Sequence, residues 1–178
     1  MKKILLLAAL AAFAAPMAFA AQGGAAATTP SASCKAELAK MGAADFKSLY
    51  APNGTQGSAM GKCVSSHQKS AAANRTSSQK ACAAERDMAA DAFKAAHAGK
   101  SFNEVYGKNE NDRNAFGKCV SAKASAKDAK QEAATLRASA ACKTERGTTT
   151  DAKTAFSAKY GGKKNAFGKC VSQHAKSA

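Results

Sequence analysis

The segment Asn114-Ala-Phe-Gly-Lys-Cys-Val-Ser121 decides the fold, because nearly the same eight residues stand at two other places in the chain. The copies are Asn-Ala-Phe-Gly-Lys-Cys-Val-Ser at 165–172 and Ser-Ala-Met-Gly-Lys-Cys-Val-Ser at 58–65. Side chains three and four positions apart lie on one face of a helix. Asn and Ser are also good N-cap residues. We therefore expect each copy to begin a helix whose large apolar residue, Cys and Val face one core.

Two further motifs precede each copy, and the three together define a repeat. A Cys is followed three residues later by Glu, at Cys34, Cys82 and Cys142; a Phe is followed four residues later by Tyr, at Phe46, Phe102 and Phe156. The chain thus holds one pair of Cys in each of three repeats. We place repeat 1 at 34–72, repeat 2 at 73–130 and repeat 3 at 131–178.

Helix signals accompany these motifs throughout the repeats, and we find no strand pattern. The pairs Ser101 with Glu104 and Thr148 with Asp151 resemble capping boxes, and Gly107 and Gly161 suit helix ends. The stretches 77–96 and 119–142 lack Gly and Pro and are rich in Ala, Lys and Glu, which favours helix. We predict an all-α fold of three small disulfide-stapled helical hairpin repeats joined by Ala/Lys-rich helical connections.

The chain has too few large apolar residues for a single large core. Ala accounts for 47 of its 178 residues, whereas Leu, Ile, Val and Phe supply only 13 of the 158 residues after position 20. Such a chain needs covalent support, and closing a loop of about 30 residues with a disulfide contributes about 3–4 kcal/mol in the chain-entropy model. We expect pairing within each repeat, Cys34–Cys63, Cys82–Cys119 and Cys142–Cys170. Pairing between adjacent repeats, such as Cys63–Cys82, stays open.

The first 20 residues are typical of a signal peptide. They carry Lys2 and Lys3, an apolar run and the ending Ala-Phe-Ala at 18–20, which predicts cleavage after Ala20. We expect a secreted or periplasmic protein with no integral membrane segment, in a compartment where Cys pair as disulfides. A flexible segment is expected at 21–33, and the chain after position 20 has 25 Lys and Arg against 12 Asp and Glu.

The combined motif resembles a repeat found in secreted bacterial proteins of uncharacterised function. It reads Cys-x-x-Glu-Arg, Phe-x-x-x-Tyr-Gly and Asn-Ala-Phe-Gly-Lys-Cys-Val-Ser, and the second and third repeats carry it in full. The first repeat departs, with Leu38 in place of Arg, Ala51 in place of Gly and Met60 in place of Phe. The resemblance implies secretion and repetition, and it implies no activity.

The chain lacks the sequence motifs of several kinds of catalytic and cofactor-binding site. We therefore predict a non-catalytic protein without a cofactor. There is no Cys-x-x-Cys motif and no phosphate-binding Gly-rich loop. His67 and His174 follow Cys63 and Cys170 by four residues, which would suit a metal site, but Lys123 takes that place in repeat 2. We expect histidines beside disulfides and no bound metal; a metal-binding or thiol-active stress protein is the alternative.

The positive charge is the feature that suggests a partner. A basic protein outside the cytoplasm would contact anionic polymers such as cell-wall polymer, polysaccharide or extracellular nucleic acid. The candidate anion-binding residues are Lys62, Lys118, Lys123, Lys127, Lys130 and Lys169. The Lys directly before each second Cys is also expected to form a salt bridge with the Glu of the same repeat. Charge that merely keeps the protein in solution and a role as a protein-partner module are the other interpretations, and the sequence predicts no oligomeric state.

Overall fold

The computed structural model describes residues 29–108, 111–162 and 165–176, and in these ranges the chain forms eight helices and no strand. The helices are α1 (Pro30–Met41), α2 (Ala43–Tyr50), α3 (Gln56–Arg86), α4 (Ala90–Ala96), α5 (Phe102–Tyr106), α6 (Ala115–Arg146), α7 (Thr150–Lys159) and α8 (Ala166–Lys176). The predicted all-α class is thereby confirmed. The predicted signal peptide at 1–20 lies outside the described residues.

All three disulfides join the two Cys of one repeat. They are Cys34–Cys63, Cys82–Cys119 and Cys142–Cys170, with Cα atoms 6.0, 6.1 and 6.0 Å apart. Every one of the six Cys is fully buried. The expected pairing within each repeat is confirmed, and each bridge ties the helix with the Cys-x-x-Glu motif to the helix with the second Cys.

The long helices α3 and α6 are each shared by two repeats. Cys63 of repeat 1 and Cys82 of repeat 2 both lie on α3, while Cys119 and Cys142 both lie on α6. The expected repeat boundaries at 72/73 and 130/131 therefore fall inside continuous helices. We call the three units modules: α1, α2 and the start of α3 form module 1, the end of α3 through the start of α6 forms module 2, and the rest forms module 3.

α3 and α6 lie side by side and antiparallel. Asn74 donates to Asp128 Oδ1 at 2.6 Å, and Lys127 donates to Ser77 Oγ at 2.6 Å. A third bond joins Gln131 to Ser70 Oγ at 3.1 Å. Because positions rise along α3 as their partners fall along α6, the chain doubles back after module 2. The seam between the helices is therefore held by hydrogen bonds between polar and charged side chains.

Modules 1 and 3 lie together at one end of this helix pair. Leu49 of α2 packs against the buried cluster of module 3, and Leu136 of α6 packs against that of module 1. Between them, the Asp45 side chain is only 5% exposed and its Oδ1 lies 2.8 Å from Arg146 Nη1. The Arg N–H groups do not point at that oxygen, so the contact is ionic. The two modules are therefore packed against each other as well as joined through the long helices.

Module 2 stands apart at the other end and has the smallest core. Its fully enclosed cluster consists of Cys82, Cys119 and Val120, with Phe102, Tyr106 and Phe116 packed at the margin. Phe93 of α4 is buried and its ring lies 5.7 Å from that of Phe102. The disulfide accordingly supplies a larger share of the stability here than in the other modules.

Several predicted helix ends differ from the observed ones by a few residues. Thr55, and not Ser58, caps α3, because its side chain accepts from the Ser58 amide at 3.2 Å. Thr149 caps α7 in place of Thr148. The capping box at Ser101 and the helix end at Gly107 are confirmed. The predicted flexible segment 21–33 overlaps α1, which begins at Pro30; its residues up to 28 lie outside the described part.

The uninterrupted helix expected at 77–96 breaks after Arg86. The chain turns at 87–89 and resumes as α4. This turn brings Phe93 back against Phe102. Burial of these rings outweighs helix propensity, which favours continuation by only a few tenths of a kcal/mol per residue. Among the described residues, no helix is both long and apolar enough to cross a membrane.

We predict that removing the module 2 disulfide with the double substitution Cys82→Ala and Cys119→Ala lowers the free energy of unfolding by about 3.5–4 kcal/mol. Because this module has the smallest core, we expect α4 and α5 to lose amide-exchange protection while α1, α2 and α8 keep it. Hydrogen exchange read by mass spectrometry checks this. Equal loss of protection in all three modules would contradict the prediction.

We predict that Arg146→Gln lowers the free energy of unfolding by about 2–3 kcal/mol, because it leaves the buried Asp45 carboxylate without its closest cation. The matched control is Arg86→Gln in module 2. Arg86 also stacks on a Phe ring, at 5.0 Å from Phe116, but its acidic neighbour Asp87 is exposed. Urea denaturation of both variants measures the difference. Similar losses in the two variants would show that the ring contact, and not Asp45, dominates.

Candidate functional site

Each module places a glutamate–tyrosine hydrogen bond beside its disulfide. The Tyr50 hydroxyl donates to Glu37 Oε2 at 2.5 Å, and Tyr106 donates to Glu85 at 2.7 Å. In module 3, Tyr160 donates to Glu145 at 2.8 Å. The Glu is one helical turn beyond the first Cys, so the carboxylate reaches the Tyr across the disulfide-linked helices. Sequence reasoning missed this pair, although the constant Glu and Tyr positions were its signal.

A basic side chain four residues after the second Cys completes each cluster. His67 Nε2 lies 2.9 Å from Glu37 Oε1, and Lys123 Nζ lies 2.8 Å from Glu85 Oε1. In module 3, His174 Nε2 lies 3.6 Å from Glu145, and Lys159 also reaches that carboxylate at 2.5 Å. We name these groups the carboxylate clusters. Each joins all three helical arms of its module.

The salt bridge expected between Glu and the Lys before the second Cys is wrong. Lys118 pairs with Asp112 at 2.5 Å, and Lys169 donates to the Gly161 carbonyl at 3.4 Å. Lys62 is exposed and has no ion pair with another described residue. The physical reason is helical geometry: the residue before Cys points about 100° away from it, whereas the residue four positions later lies on the same face.

The cluster of module 1 is the most enclosed of the three. The side chain of Glu37 is fully buried, whereas those of Glu85 and Glu145 are 25% and 29% exposed. Burial and the neighbouring Glu37 carboxylate raise the pKa of Tyr50 far above its ordinary value. The hydrogen bond to Glu37 raises the pKa of His67, against the opposing effect of its own burial. A charged His67 therefore compensates a buried carboxylate.

The tyrosine hydroxyls of the carboxylate clusters act as hydrogen-bond donors, because their pKa values are raised. A Tyr whose pKa is raised stays protonated and donates a hydrogen bond, so it is a poor nucleophile. All six sulfurs are held in disulfides and none is free to attack a substrate. The clusters instead satisfy the polar groups that the three-helix junctions bury, as buried charges require.

The Arg of the Cys-x-x-Glu-Arg motif stacks on the Phe of the third motif. Arg86 lies over the Phe116 ring at 5.0 Å, and Arg146 lies over Phe167 at 5.1 Å. In module 1 both partners differ together, since Leu38 and Met60 occupy these positions and pack against its apolar cluster. The first repeat thus replaces a cation–π contact with an apolar one.

Among the described residues, modules 1 and 3 each bring three metal-ligand side chains together, and module 2 does not. Ligand atoms of Cys34, Cys63 and His67 lie within 4.8 Å of one another, and so do those of the corresponding residues in module 3, Cys142, Cys170 and His174. In both sets the sulfurs are bonded to each other. A disulfide sulfur is not a thiolate, so the oxidised protein offers only the imidazole and a carboxylate there.

The candidate anion-binding residues divide between internal contacts and one exposed face. Lys118, Lys123 and Lys169 are engaged as described above. On α3, Lys62, Lys69 and Lys80 are exposed and stand 7 and 11 residues apart. Because successive helical residues turn by about 100°, these three lie within about 20° of one line.

A matching row lies on α6. Lys127, Lys130 and Arg137 are exposed there, and the last two are seven residues apart. The α3 row is displaced from the α3 seam residues by about 95°, and Lys130 and Arg137 are displaced from the α6 seam residues Asp128 and Gln131 by about 140°, in the same rotational sense. Lys127, which bonds to Ser77, lies between the α6 row and the seam. Since the helices are antiparallel, displacements in the same sense put both rows on the same side of the pair. We call Lys62, Lys69, Lys80, Lys127, Lys130 and Arg137 the basic face.

We predict that the stabilising effect of His67 depends on pH. Its pKa is raised on folding, so its contribution to the free energy of unfolding is fully present below a pH of about 6.5 and is lost as the pH rises through the folded-state value. Urea denaturation of wild type and His67→Gln across this range checks it, and the difference between them should shrink as the pH rises. In a Glu37→Gln background most of this pH dependence should be lost, since the charges of Glu132 and Asp128 raise the pKa less than Glu37 does. A difference independent of pH would contradict the assignment.

Comparison with known proteins assigns the chain to no family. No family model matches the chain. No curated protein and no solved structure matches it either.

Proposed function

We propose that this is a non-catalytic binding protein of the periplasm or cell exterior that contacts anionic polymers through the basic face. The observation that carries the proposal is the distribution of charge. The six residues of the basic face have no ion pair with an acid among the described residues; Lys127 contributes one hydrogen bond, to Ser77. Cations left without acids attract an external polyanion.

The acids, by contrast, are largely used inside the protein. Glu37, Glu85 and Glu145 belong to the carboxylate clusters, and Asp45 is held by Arg146. Others serve local structure: Asp112 binds Lys118, and Glu104 closes the capping box. Glu132 of α6 is about 160° from Lys130 and about 140° from Arg137 around the helix, away from the basic face. Few acids therefore offset the six cations.

The dimensions of the basic face suit an extended ligand. Lys62 and Lys80 are 18 residues apart on one continuous helix, a distance of about 27 Å at 1.5 Å per residue. The row on α6 runs beside the same stretch in the opposite direction. A surface of this length favours a polymer that makes several weak contacts, each releasing counterions, over a small anion that needs a concave site.

The expected periplasmic or extracellular location limits the anionic polymers that the protein can meet. The predicted signal peptide and three buried disulfides fit export to an oxidising compartment. The polymers available there are cell-wall polymers, polysaccharides and extracellular nucleic acid. Electrostatic binding of this kind does not depend on sequence, so we expect little discrimination among nucleic-acid sequences.

We predict that the protein binds heparin and a mixed-sequence DNA duplex with steep salt dependence. If all six cations contact phosphates, the slope of log K against log salt for the duplex should be about −5. Lys62→Gln, Lys69→Gln and Lys80→Gln together should reduce its magnitude by roughly 2–3. Fluorescence anisotropy over a salt series measures it.

The matched control removes the same charge elsewhere. Lys94, Lys100 and Lys153 are exposed and lie outside α3 and α6. Their triple change to Gln should leave the slope within about one unit of wild type. Equal effects of the two triple variants would show that only net charge matters, and binding that persists unchanged at high salt would overturn the electrostatic basis.

A further inference from the structure

The carboxylate clusters of modules 1 and 3 hold four potential zinc ligands around each disulfide. In module 1 they are the sulfurs of Cys34 and Cys63, the imidazole of His67 and the carboxylate of Glu37. Glu37 Oε2 lies 3.8 Å from Cys63 Sγ, and Glu37 Oε1 lies 2.9 Å from His67 Nε2. In module 3, Glu145 Oε2 lies 3.9 Å from Cys170 Sγ and 3.6 Å from His174. Two sulfurs, one imidazole and one carboxylate are donors that Zn²⁺ accepts in tetrahedral sites.

Module 2 differs at the one position that matters for this chemistry. Lys123 takes the place of His, and its ammonium group is bonded to Glu85 at 2.8 Å. An ammonium group has no lone pair for a metal, and its positive charge opposes a cation next to the Cys82–Cys119 bridge. The same chain thus contains two complete sets of donors and one built-in control with the same helical frame.

We propose that reduction of the disulfides in modules 1 and 3 converts each into a zinc site, while module 2 does not become one. This proposal goes beyond the polymer-binding function and does not depend on the basic face. It concerns the reduced protein only. In the oxidised protein the sulfurs carry no thiolate and the same residues remain a structural cluster.

The frame of each module already brings the ligands to a suitable separation. The Cα atoms of Cys34 and Cys63, and those of Cys142 and Cys170, are 6.0 Å apart. Tetrahedral zinc with Zn–S bonds of about 2.3 Å needs its sulfurs about 3.8 Å apart. Rotation of the two Cys side chains about their Cα–Cβ bonds can provide that separation. His67 and Glu37 stand on the same two helices as the sulfurs, so zinc would replace the covalent link between them.

The conversion is a balanced exchange. A dithiol reductant supplies two electrons and two protons and becomes a disulfide; a phosphine supplies two electrons and becomes its oxide, with water giving the oxygen and the two thiol protons. Zn²⁺ then displaces the proton from each thiol, and also that of the imidazole where it is charged, so two protons, or three with a charged His, are released for each zinc bound. The chain exists in this reduced form before its disulfides are made, and zinc bound to the folded modules would stabilise them at that stage.

The test uses the full chain after residue 20, reduced anaerobically with a phosphine and titrated with Zn²⁺ against a chromophoric chelator. We expect two zinc ions per reduced chain and none per oxidised chain. Co²⁺ substitution should give the visible bands of tetrahedral thiolate coordination. Far-ultraviolet circular dichroism should show helix regained as zinc binds, which separates failure to bind from failure to fold.

Variants assign the sites. His67→Ala should weaken zinc binding at module 1 at least about tenfold and leave one strong site. His67→Ala with His174→Ala should remove both, Lys123→Ala should leave two, and Lys123→His should create a third. No binding by the reduced chain, three strong sites in wild type, or two strong sites that survive the double His variant would each overturn the proposal.

Discussion

The disulfide at the centre of each module is the constraint on which the rest of the structure depends. It fixes two helices at a Cα separation of about 6 Å in a chain whose large apolar residues are too few to hold them there. Only at that separation can a Glu one turn beyond the first Cys meet both the Tyr of the middle helix and the base one turn beyond the second Cys. The polar clusters and the aromatic packing are arranged around the covalent link.

The sequence alone predicted those features that the spacing of residues along the chain encodes. Repetition and the i, i+3 and i+4 positions indicated the helices and the disulfide pairing, and both are confirmed. Spacing could not predict the antiparallel seam, because Ser70, Asn74 and Ser77 are equally suited to solvent. Nor did it identify the base that meets each Glu. Each second Cys has one basic residue directly before it and another four positions after it, and only their positions around the helix distinguish the two. The break after Arg86 arises from tertiary burial of Phe93.

The three modules show how one frame accepts different chemistry. The position after Glu is Arg where Phe lies opposite it, and Leu where Met does. The base of the carboxylate cluster is His where the Glu is fully buried and Lys where it is a quarter exposed. An imidazole can lose its charge, so it lowers the cost of burying charge and suits an enclosed site. An ammonium group keeps its charge and needs contact with water. Module 3, whose Glu145 is the most exposed of the three at 29%, combines a His with an exposed Lys.

Because α3 and α6 are each shared by two modules, each of these helices sets the angle between the modules at its two ends. Cys63 and Cys82 are 19 residues apart, and Cys119 and Cys142 are 23 apart. One inserted residue in either stretch would turn the next module by about 100° and shift it by about 1.5 Å. Asp45 would then miss Arg146, and the seam bonds would lose their register. In α3 and α6, insertions are thus restricted to whole helical turns, whereas module 2 accommodates the additional helix α4 between Cys82 and Phe102.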